Sequence, residues 1–255
     1  MNDAAIVTEL WRHPVKSLRG ERLDEAEVTA EGPHGDRGWG IRDAATGRIL
    51  TGRREPRLLL AAARLGDGGE PVITLPDGAV LDGAGRATDA ALAAWLGRDV
   101  ALVPAAGAPG GRAEAFTDAT DDASAPFEFT MPAGRFVDQL PLLLVTADSL
   151  RAGRALHEGA WDVRRFRPNV LLEGGGDAWT EDGWVGRDVA VGGVRLRVEA
   201  PCPRCTMITR PQPGLDADVE MFRTVARHHG AAFGVLARVV TPGTVRVGDA
   251  VRVGG

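Results

Sequence analysis

Short runs of apolar residues, separated by turn-forming residues, recur along most of the chain. Several of them alternate apolar and polar positions, which is the pattern of a strand with one buried face. The predicted strands are 6–12, 23–29, 39–42, 140–145, 163–172, 231–240, 244–247 and 250–253, with a hairpin over 189–198 that turns at Gly192-Gly193. Many short strands at this spacing predict a mainly β protein with a few helices, of the α+β class, built on a β-barrel.

A helical pattern occurs in only three places. The predicted helices are 89–96, a segment from a cap at Thr146 or Asp148 to about His157, and a segment from a cap at Asp216 or Asp218 through Arg227, with Gly230 as its stop. This small number of predicted helices is consistent with a mainly β architecture.

An Ala-, Gly- and Pro-rich stretch interrupts the strand pattern near the middle of the chain. We take 106–112 as a linker between one domain at 1–105 and another at 113–254. The acidic stretch 117–126 comes next and holds three aspartates, Asp118, Asp121 and Asp122. Their spacing matches no calcium loop, so we expect a solvated loop there.

Composition and charge narrow the classes of function. With a formal net charge of −5 over 255 residues, the chain has no basic field to attract nucleic acid or an anionic membrane. Its first residues lack a secretory signal pattern, and no apolar run approaches the roughly 18 residues that a spanning helix needs. Two cysteines give no disulfide framework. These features predict a cytoplasmic protein with neither a nucleic-acid nor a membrane partner.

Both cysteines lie in one stretch, Glu199-Ala-Pro-Cys-Pro-Arg-Cys-Thr206. Prolines restrict the backbone on both sides of Cys202, and Arg204 places a cation beside Cys205 that favours its thiolate. Three kinds of site fit: a structural zinc half-site, a dithiol redox pair, or one thiolate on a soft metal centre. No histidine stands at zinc-site spacing, and no convincing helix follows the cysteines as in dithiol redox motifs, which favours the third kind.

The basic stretch 164–169 is a second candidate. Pro168 is expected to hold Arg167 extended, and strand alternation then places Arg165, Arg167 and Asn169 on one face. Guanidinium and carboxamide groups on one face suit an anion or the edge of a heterocycle. A surface strip of arginines paired with local carboxylates fits the spacing equally well.

The third candidate is His13-Pro14-Val15-Lys16-Ser17, directly after the first predicted strand. Lys16 is the only lysine among 30 Lys and Arg residues, which reflects either chance or a need for a compact ammonium group. Lys16 and Ser17 at a turn could hold a phosphate, and Arg37 could supply a second cation. The alternative is a plain surface turn that pivots on Pro14.

Eight motifs, in this order along the chain, resemble those of the MOSC-domain proteins (molybdenum cofactor sulfurase C-terminal domain). They are HPVKSLRG, GDRGW, TGRREPRL, DQLPLLLVTADSL, RFRPNVLLEG, TEDGWVG, CPRCTM and FGVLARVVTPGTVRVGDAV. Within that family the chain is most similar to the molybdenum enzymes related to the mitochondrial amidoxime reducing component and its bacterial counterparts. The resemblance implies a small N-terminal β-rich domain at 1–105, a MOSC β-barrel at 113–254, and a cofactor cleft between them.

The resemblance also implies a set of site residues around a molybdenum cofactor (Mo-molybdopterin). Cys205 falls on the position that coordinates molybdenum, with Arg204 beside it to tune the donor strength of the thiolate. The positions that hold the cofactor are Lys16, Ser17 and Arg37 for its phosphate, Arg167 and Asn169 for its pyranopterin, and Asp138 and Pro203 nearby.

From this family we expect a molybdenum-cofactor-dependent oxidoreductase that reduces small N-oxygenated (N-hydroxylated) substrates. Two cysteines cannot supply the four thiolates of an iron–sulfur cluster, so electrons are expected from a separate protein of the ferredoxin, flavoprotein or cytochrome type. The segment 208–214 departs from the family pattern and leaves the substrate open. The alternative hypothesis is a non-redox sulfur carrier or cofactor-binding protein. In it, Cys205 carries a persulfide or binds a metal through its thiolate.

Overall fold

A computed structural model describes residues 3–107, 110–174 and 176–254 of the chain. Within these ranges the strands are β1 (Asp3–Arg12), β2 (Glu21–Leu23), β3 (Glu25–Thr29), β4 (Gly32–Pro33), β5 (Trp39–Asp43), β6 (Ala62–Leu65), β7 (Pro71–Thr74), β8 (Val80–Asp82), β9 (Val100–Pro104), β10 (Arg112–Phe116), β11 (Pro126–Thr130), β12 (Leu142–Thr146), β13 (Val170–Glu173), β14 (Asp188–Val191), β15 (Val194–Pro203), β16 (Ala232–Thr241), β17 (Gly243–Arg246) and β18 (Ala250–Val253). The α+β class, with mostly β structure, is confirmed.

Three of the four helices in the described ranges begin at a short polar side chain that caps them, and the first begins after Gly85 without such a cap. The helices are α1 (Arg86–Leu96), α2 (Ala147–Leu156), α3 (Val163–Phe166) and α4 (Val219–His229), with 3-10 turns at Pro56–Leu60, Thr180–Trp184 and Thr206–Thr209. Thr146 caps α2 by accepting from the Ser149 N–H, and Asp218 caps α4 by accepting from the Met221 N–H. Among the described residues, no helix is both long and apolar enough to cross a membrane.

One sheet closes into a β-barrel. Its strands run in the order β13-β12-β16-β15-β14-β18-β1, and β1 also pairs with β13, which closes the ring. Alternate residues of β12 face opposite sides: Leu142 and Leu144 are buried inside the barrel, whereas Leu143 packs outside with the aromatic residues around α4. The long strand β15 crosses the barrel and delivers the cysteine motif at its end.

The first half of the chain has its own apolar core, formed by residues between Val15 and Leu102 around α1 and two small sheets. Its first strands nevertheless belong to the second half, because β1 lies in the barrel and β3 pairs with β17. The predicted domain division at 106–112 stays a prediction, and residues 108 and 109 of that linker lie outside the described ranges. The Gly192-Gly193 hairpin between β14 and β15 is confirmed.

The predicted strand over 163–172 is wrong for its first half. Residues 163–166 form the short helix α3, capped by Asp162, and only Val170–Glu173 is a strand. Arg167 is not extended: it adopts the left-handed conformation (φ 56°) because its N–H closes the helix end on the Val163 carbonyl. Arg165 and Arg167 therefore do not share one strand face. Arg165 instead donates to four carbonyls, those of Ala160, Ile208, Arg210 and Asp216.

Candidate functional site

The two free cysteines lie at the end of β15, where the strand leaves the barrel. Cys202 is still in the strand, and Cys205 stands at the start of the 3-10 turn Thr206–Thr209. Both thiols are half-buried, and Pro203 between them is exposed and pairs with Ala232 of β16. Cys205 is therefore held on rigid backbone and stays open to a ligand.

The position of Arg204 next to Cys205 predicts that its charge favours the Cys205 thiolate, but the structure gives Arg204 mainly another role. Its guanidinium is buried and donates to the carbonyls of Phe166 (2.9 Å) and Phe233 (3.0 Å from Nε). Burial raises the pKa of the Cys205 thiol, and the Met207 N–H and the charges of Arg53 and then Arg204 oppose this only in part. Arg204 thus fixes the strand end, while its effect on the thiol is minor.

Lys16 and Ser17 follow β1 and turn inward. The Lys16 Nζ donates to the Phe136 carbonyl (3.0 Å) and to the Asp138 carboxylate (2.6 Å), and the lysine side chain is almost fully buried. Ser17 accepts from the Gly52 N–H (2.8 Å). A Cβ at Gly52 would lie 3.1 Å from the Met207 sulfur and 3.5 Å from the Ser17 Cβ. The Ser17 corner therefore lies close to the segment that follows Cys205.

Arg37 and Arg167 lie against each other. Arg37 pairs with the buried Asp36, and its Nη2 donates to the Arg167 carbonyl (3.2 Å), while Arg167 donates to the Leu18 carbonyl (2.7 Å). Burial, with the nearby Arg37 charge, lowers the pKa of Arg167 to about 9. At neutral pH the Arg167 side chain is thus a buried cation with too little negative charge around it.

Backbone strain gathers at these residues. Five non-glycine residues in the described ranges have positive φ, and three of them are Ser17, Arg37 and Arg167, with φ of 68°, 49° and 56°. Such conformations cost free energy and persist where the surrounding contacts enforce them, commonly at functional sites. The fold therefore imposes these orientations.

Asp138 lies among the predicted cations. Although loss of water opposes it, the charges of Lys16, Arg37 and Arg167 hold the pKa of Asp138 below its usual range. Burial raises the pKa of both cysteine thiols, and the charge of Asp138 adds a smaller increase. Its side chain is 67% exposed, so a ligand can reach it.

Asn169, two residues after Arg167, is hydrogen-bonded to backbone through both its Oδ1 and its Nδ2. Its Oδ1 accepts from the Leu143 N–H (3.1 Å), and its Nδ2 donates to the Trp11 carbonyl (3.4 Å). The side chain thereby joins β12 to β1, and it is buried. Its second Nδ2 proton is the one that remains for a ligand.

Two family models match the chain. The MOSC N-terminal beta barrel domain matches residues 4–100, and the MOSC domain matches residues 133–252. The chain belongs to the MOSC-domain proteins. The resemblance inferred from the eight motifs is confirmed.

Relatives of this MOSC protein cover nearly its whole length. Human mitochondrial amidoxime-reducing component 1 is 26% identical, over 98% of this chain and 83% of the relative. Human mitochondrial amidoxime reducing component 2 is 27% identical, over 98% of this chain and 84% of the relative. The crystal structure of the YUAD protein from Bacillus subtilis shares the fold, with a TM-score of 0.50 at 12% identity over 98% of this chain and 94% of that one.

Asp122 is a residue of this MOSC protein that sequence reasoning placed wrongly. The prediction of a solvated loop fails for it, because its carboxylate accepts from Arg53 (2.8 Å), Thr206 (2.6 Å) and Arg210. These three donors hold its pKa below the usual range against the cost of burial. Asp122 thus ties the acidic segment to the turn after Cys205. Its partners lie 69 to 88 positions away, so no local pattern could reveal them.

His13 is a buried neutral group behind the cations. Its main-chain N–H donates to Asp36 (2.7 Å), its Nε2 lies 3.3 Å from the Pro168 carbonyl, and its Nδ1 has no partner among the described residues. Burial first, then the charges of Arg167 and Arg37, lower its pKa well below the ordinary value.

The lowered pKa of His13 predicts that the folded protein loses stability in acid. From about pH 6.5 downward the unfolded chain binds a proton at His13 that the folded protein does not, so the free energy of unfolding falls by up to about 1.4 kcal/mol per pH unit. We expect His13→Phe to flatten the fall in Tm between pH 7.5 and 5.5, and His34→Phe, at an exposed position, to leave it unchanged. Thermal melts across this range test the prediction, and an equal slope in the wild type and His13→Phe would contradict it.

Proposed function

We propose that this MOSC protein is a molybdenum-cofactor-dependent oxidoreductase that reduces N-oxygenated substrates, with Cys205 as the protein ligand of the metal. The observation that carries the proposal is that Ser17, next to Lys16, and Met207, two residues after Cys205, both lie against Gly52. A thiolate ligand close to a group of buried cations suits a metal bound to an anionic organic group.

The residues fit the phosphate of such a cofactor. Lys16, Arg37 and Arg167 bring three positive charges, against which stand the two carboxylates of Asp36 and Asp138. The lowered pKa of Arg167 indicates that this site lacks negative charge. A phosphate beside Lys16 and Arg37, with the Ser17 hydroxyl as donor, would supply it.

The other residues bind and orient. Arg167 and Asn169 would donate to the polar edge of the pterin, and Asp138 and Pro203 would lie alongside it. Arg204 would keep Cys205 in place through the Phe166 and Phe233 carbonyls, rather than by its charge. When bound, the cofactor supplies the two-electron chemistry that removes oxygen from the substrate.

The names of the relatives support the substrate class, since both human proteins are named as amidoxime-reducing components. Reduction of an N–OH group takes two electrons and two protons and releases water. We propose that a separate electron-transfer protein, of the ferredoxin, flavoprotein or cytochrome type, delivers the electrons, and that the substrate is a small N-hydroxylated molecule.

The test is anaerobic turnover by the molybdenum-loaded protein. We expect reduction of a panel of hydroxylamines, amidoximes and N-hydroxylated bases with a chemical reductant, measured by chromatography of the reduced product. A parallel sample without cofactor should show none. A fully loaded protein that reduces no member of the panel refutes the proposal and favours the sulfur-carrier alternative, which persulfide labelling of Cys205 then examines.

A further inference from the structure

Arg53 is a second cation at the cysteine turn, outside the group around Asp138. It belongs to the loop between β5 and the 3-10 turn Pro56–Leu60, next to Gly52, which packs close to Met207. Its Nε and the hydroxyl of Thr206, the residue after Cys205, donate to the same oxygen of Asp122, at 2.8 and 2.6 Å. Arg53 is not among the cations that dominate the pKa of Asp138. The turn that follows Cys205 therefore has a cation of its own.

The guanidinium of Arg53 is held rigidly. Its Nε donates to Asp122 (2.8 Å), and its Nη2 donates to the carbonyls of Asp118 (2.6 Å) and Asp121 (3.0 Å). Its Cζ lies 4.2 Å from the ring centroid of Phe116, and the side chain is only 10% exposed. Contacts on this many sides fix the plane of the group before any ligand arrives, which is what a binding or catalytic donor requires.

One edge of this guanidinium remains free. The Nη1 of Arg53 has no hydrogen-bond partner within the described ranges. Asp122 does not cancel the charge, because it is shared with Arg210. The Asp118 carboxylate is exposed and binds Thr120, so water screens its effect. Arg53 therefore keeps a free donor and residual positive charge, and Asp122 links it to Thr206, the residue after the proposed metal ligand.

We propose that Arg53 is a substrate-binding cation that makes this site prefer N-oxygenated substrates with a negative charge next to the N–O group. This inference rests on the proposed function for its substrate class, but its physical core, attraction of an anion to Cys205 by Arg53, does not need the cofactor. Asp122 is the positioning residue that holds Arg53 and, through Thr206, the turn after Cys205.

The first test uses the metal-free protein in a Cys202→Ser background. Cys205 is alkylated by iodoacetate, an anion, and by iodoacetamide, its neutral analogue, and the ratio of the two rates is measured by mass spectrometry. The thiolate fraction cancels in this ratio because both reagents attack the same thiolate. We expect Arg53→Gln to lower the ratio about fivefold, which is about 1 kcal/mol, because a nearby cation attracts the anionic reagent and not the neutral one.

Arg54→Gln is the matched control. Arg54 is the next residue in the same loop, is 52% exposed and pairs with Glu114, and its charge is not among those that dominate the Cys205 pKa. We expect Arg54→Gln and Arg54→Lys to leave the ratio unchanged. Arg53→Lys keeps a charge but loses the planar fork, so we expect an intermediate ratio. A ratio unchanged in Arg53→Gln, or lowered equally in Arg54→Gln, overturns the proposal. If Arg53→Gln does not fold, equal ratios in Arg53→Lys and Arg54→Lys overturn it.

The second test uses the loaded protein and two N-hydroxylated substrates that differ only in a carboxylate. We expect Arg53→Gln to raise KM for the anionic substrate about tenfold and to change KM for the neutral one less than about twofold, as the loss of one charged hydrogen bond implies. Equal effects on both substrates overturn the stated preference. Failure of the proposed function would appear separately, as a loaded protein inactive on both substrates while the alkylation ratio still depends on Arg53.

Discussion

Replacing Cys205 with alanine is expected to remove molybdenum and all reductase activity while the fold persists. The sulfur of Cys205 is the one protein ligand that we propose for the metal. Mutation of a residue that only supports a metal ligand lowers metal affinity about 10- to 100-fold, so loss of the ligand itself should lower it more than about 100-fold. The half-buried thiol has little packing to lose, and we expect a change in stability within about 1 kcal/mol. Metal analysis after gel filtration and a thermal melt measure the two effects.

Cys202→Ala is the matched control for this prediction. Cys202 lies three positions away on the same strand end, is equally half-buried, and packs against the aromatic cluster around Phe233. We expect it to keep molybdenum and at least part of the activity. Metal retained at wild-type level in Cys205→Ala would contradict the assignment of the ligand. Complete loss of activity in both variants would instead revive the dithiol redox hypothesis.

The barrel was predictable from sequence because each of its strands carries a local signal. β15 alternates buried and exposed residues from Val194 to Val198, and β12 is a continuous apolar run buried on both faces. The closure of the ring by β1 was not predictable in the same way. It pairs residues more than 150 positions apart, such as Leu10 with Val170, and no turn or spacing connects them.

The conformation around Arg167 shows how two local rules compete. A residue before proline is disfavoured in the right-handed helical region, which led to the expectation of an extended Arg167. The cap at Asp162 nucleates one helical turn just upstream, and that turn ends with Arg167 in the left-handed region. Arg167 still contacts the Leu18 carbonyl and Arg37, so two predicted site residues lie together even though the local backbone was predicted wrongly.

The site residues that were missed share one property: they act through tertiary contacts. Arg53 lies in a motif, TGRREPRL, that contributed to the family resemblance but gave no hint of chemistry. It gains its place beside Cys205 only because Asp122 and the carbonyls of the acidic segment hold it there. A carboxylate in a polar loop is usually solvated, and composition alone cannot separate Asp122 from its exposed neighbour Asp118.

Lys16→Met is expected to abolish retention of the cofactor, because it removes one of the three cations and leaves the Asp138 carboxylate without its ion-pair partner. Lys16 donates to Asp138 at 2.6 Å, and its side chain is almost fully buried. Losing a charged hydrogen bond to the phosphate costs about 10- to 100-fold in affinity. The Asp138 carboxylate, no longer neutralised, then repels the phosphate and adds to the loss. Fluorescence of the oxidised pterin after gel filtration measures what remains bound.

Two further variants separate these contributions. Lys16→Arg keeps the charge on a wider, planar group and should retain an intermediate amount of cofactor, because the buried position beside the Phe136 carbonyl suits a compact ammonium. Lys16→Met combined with Asp138→Asn should retain more cofactor than Lys16→Met alone, since the repulsion is gone. This coupling is expected because the two side chains are in direct contact. A double variant that retains no more cofactor than Lys16→Met would show that Asp138 does not face the phosphate. Full retention in Lys16→Met would exclude Lys16 from binding altogether.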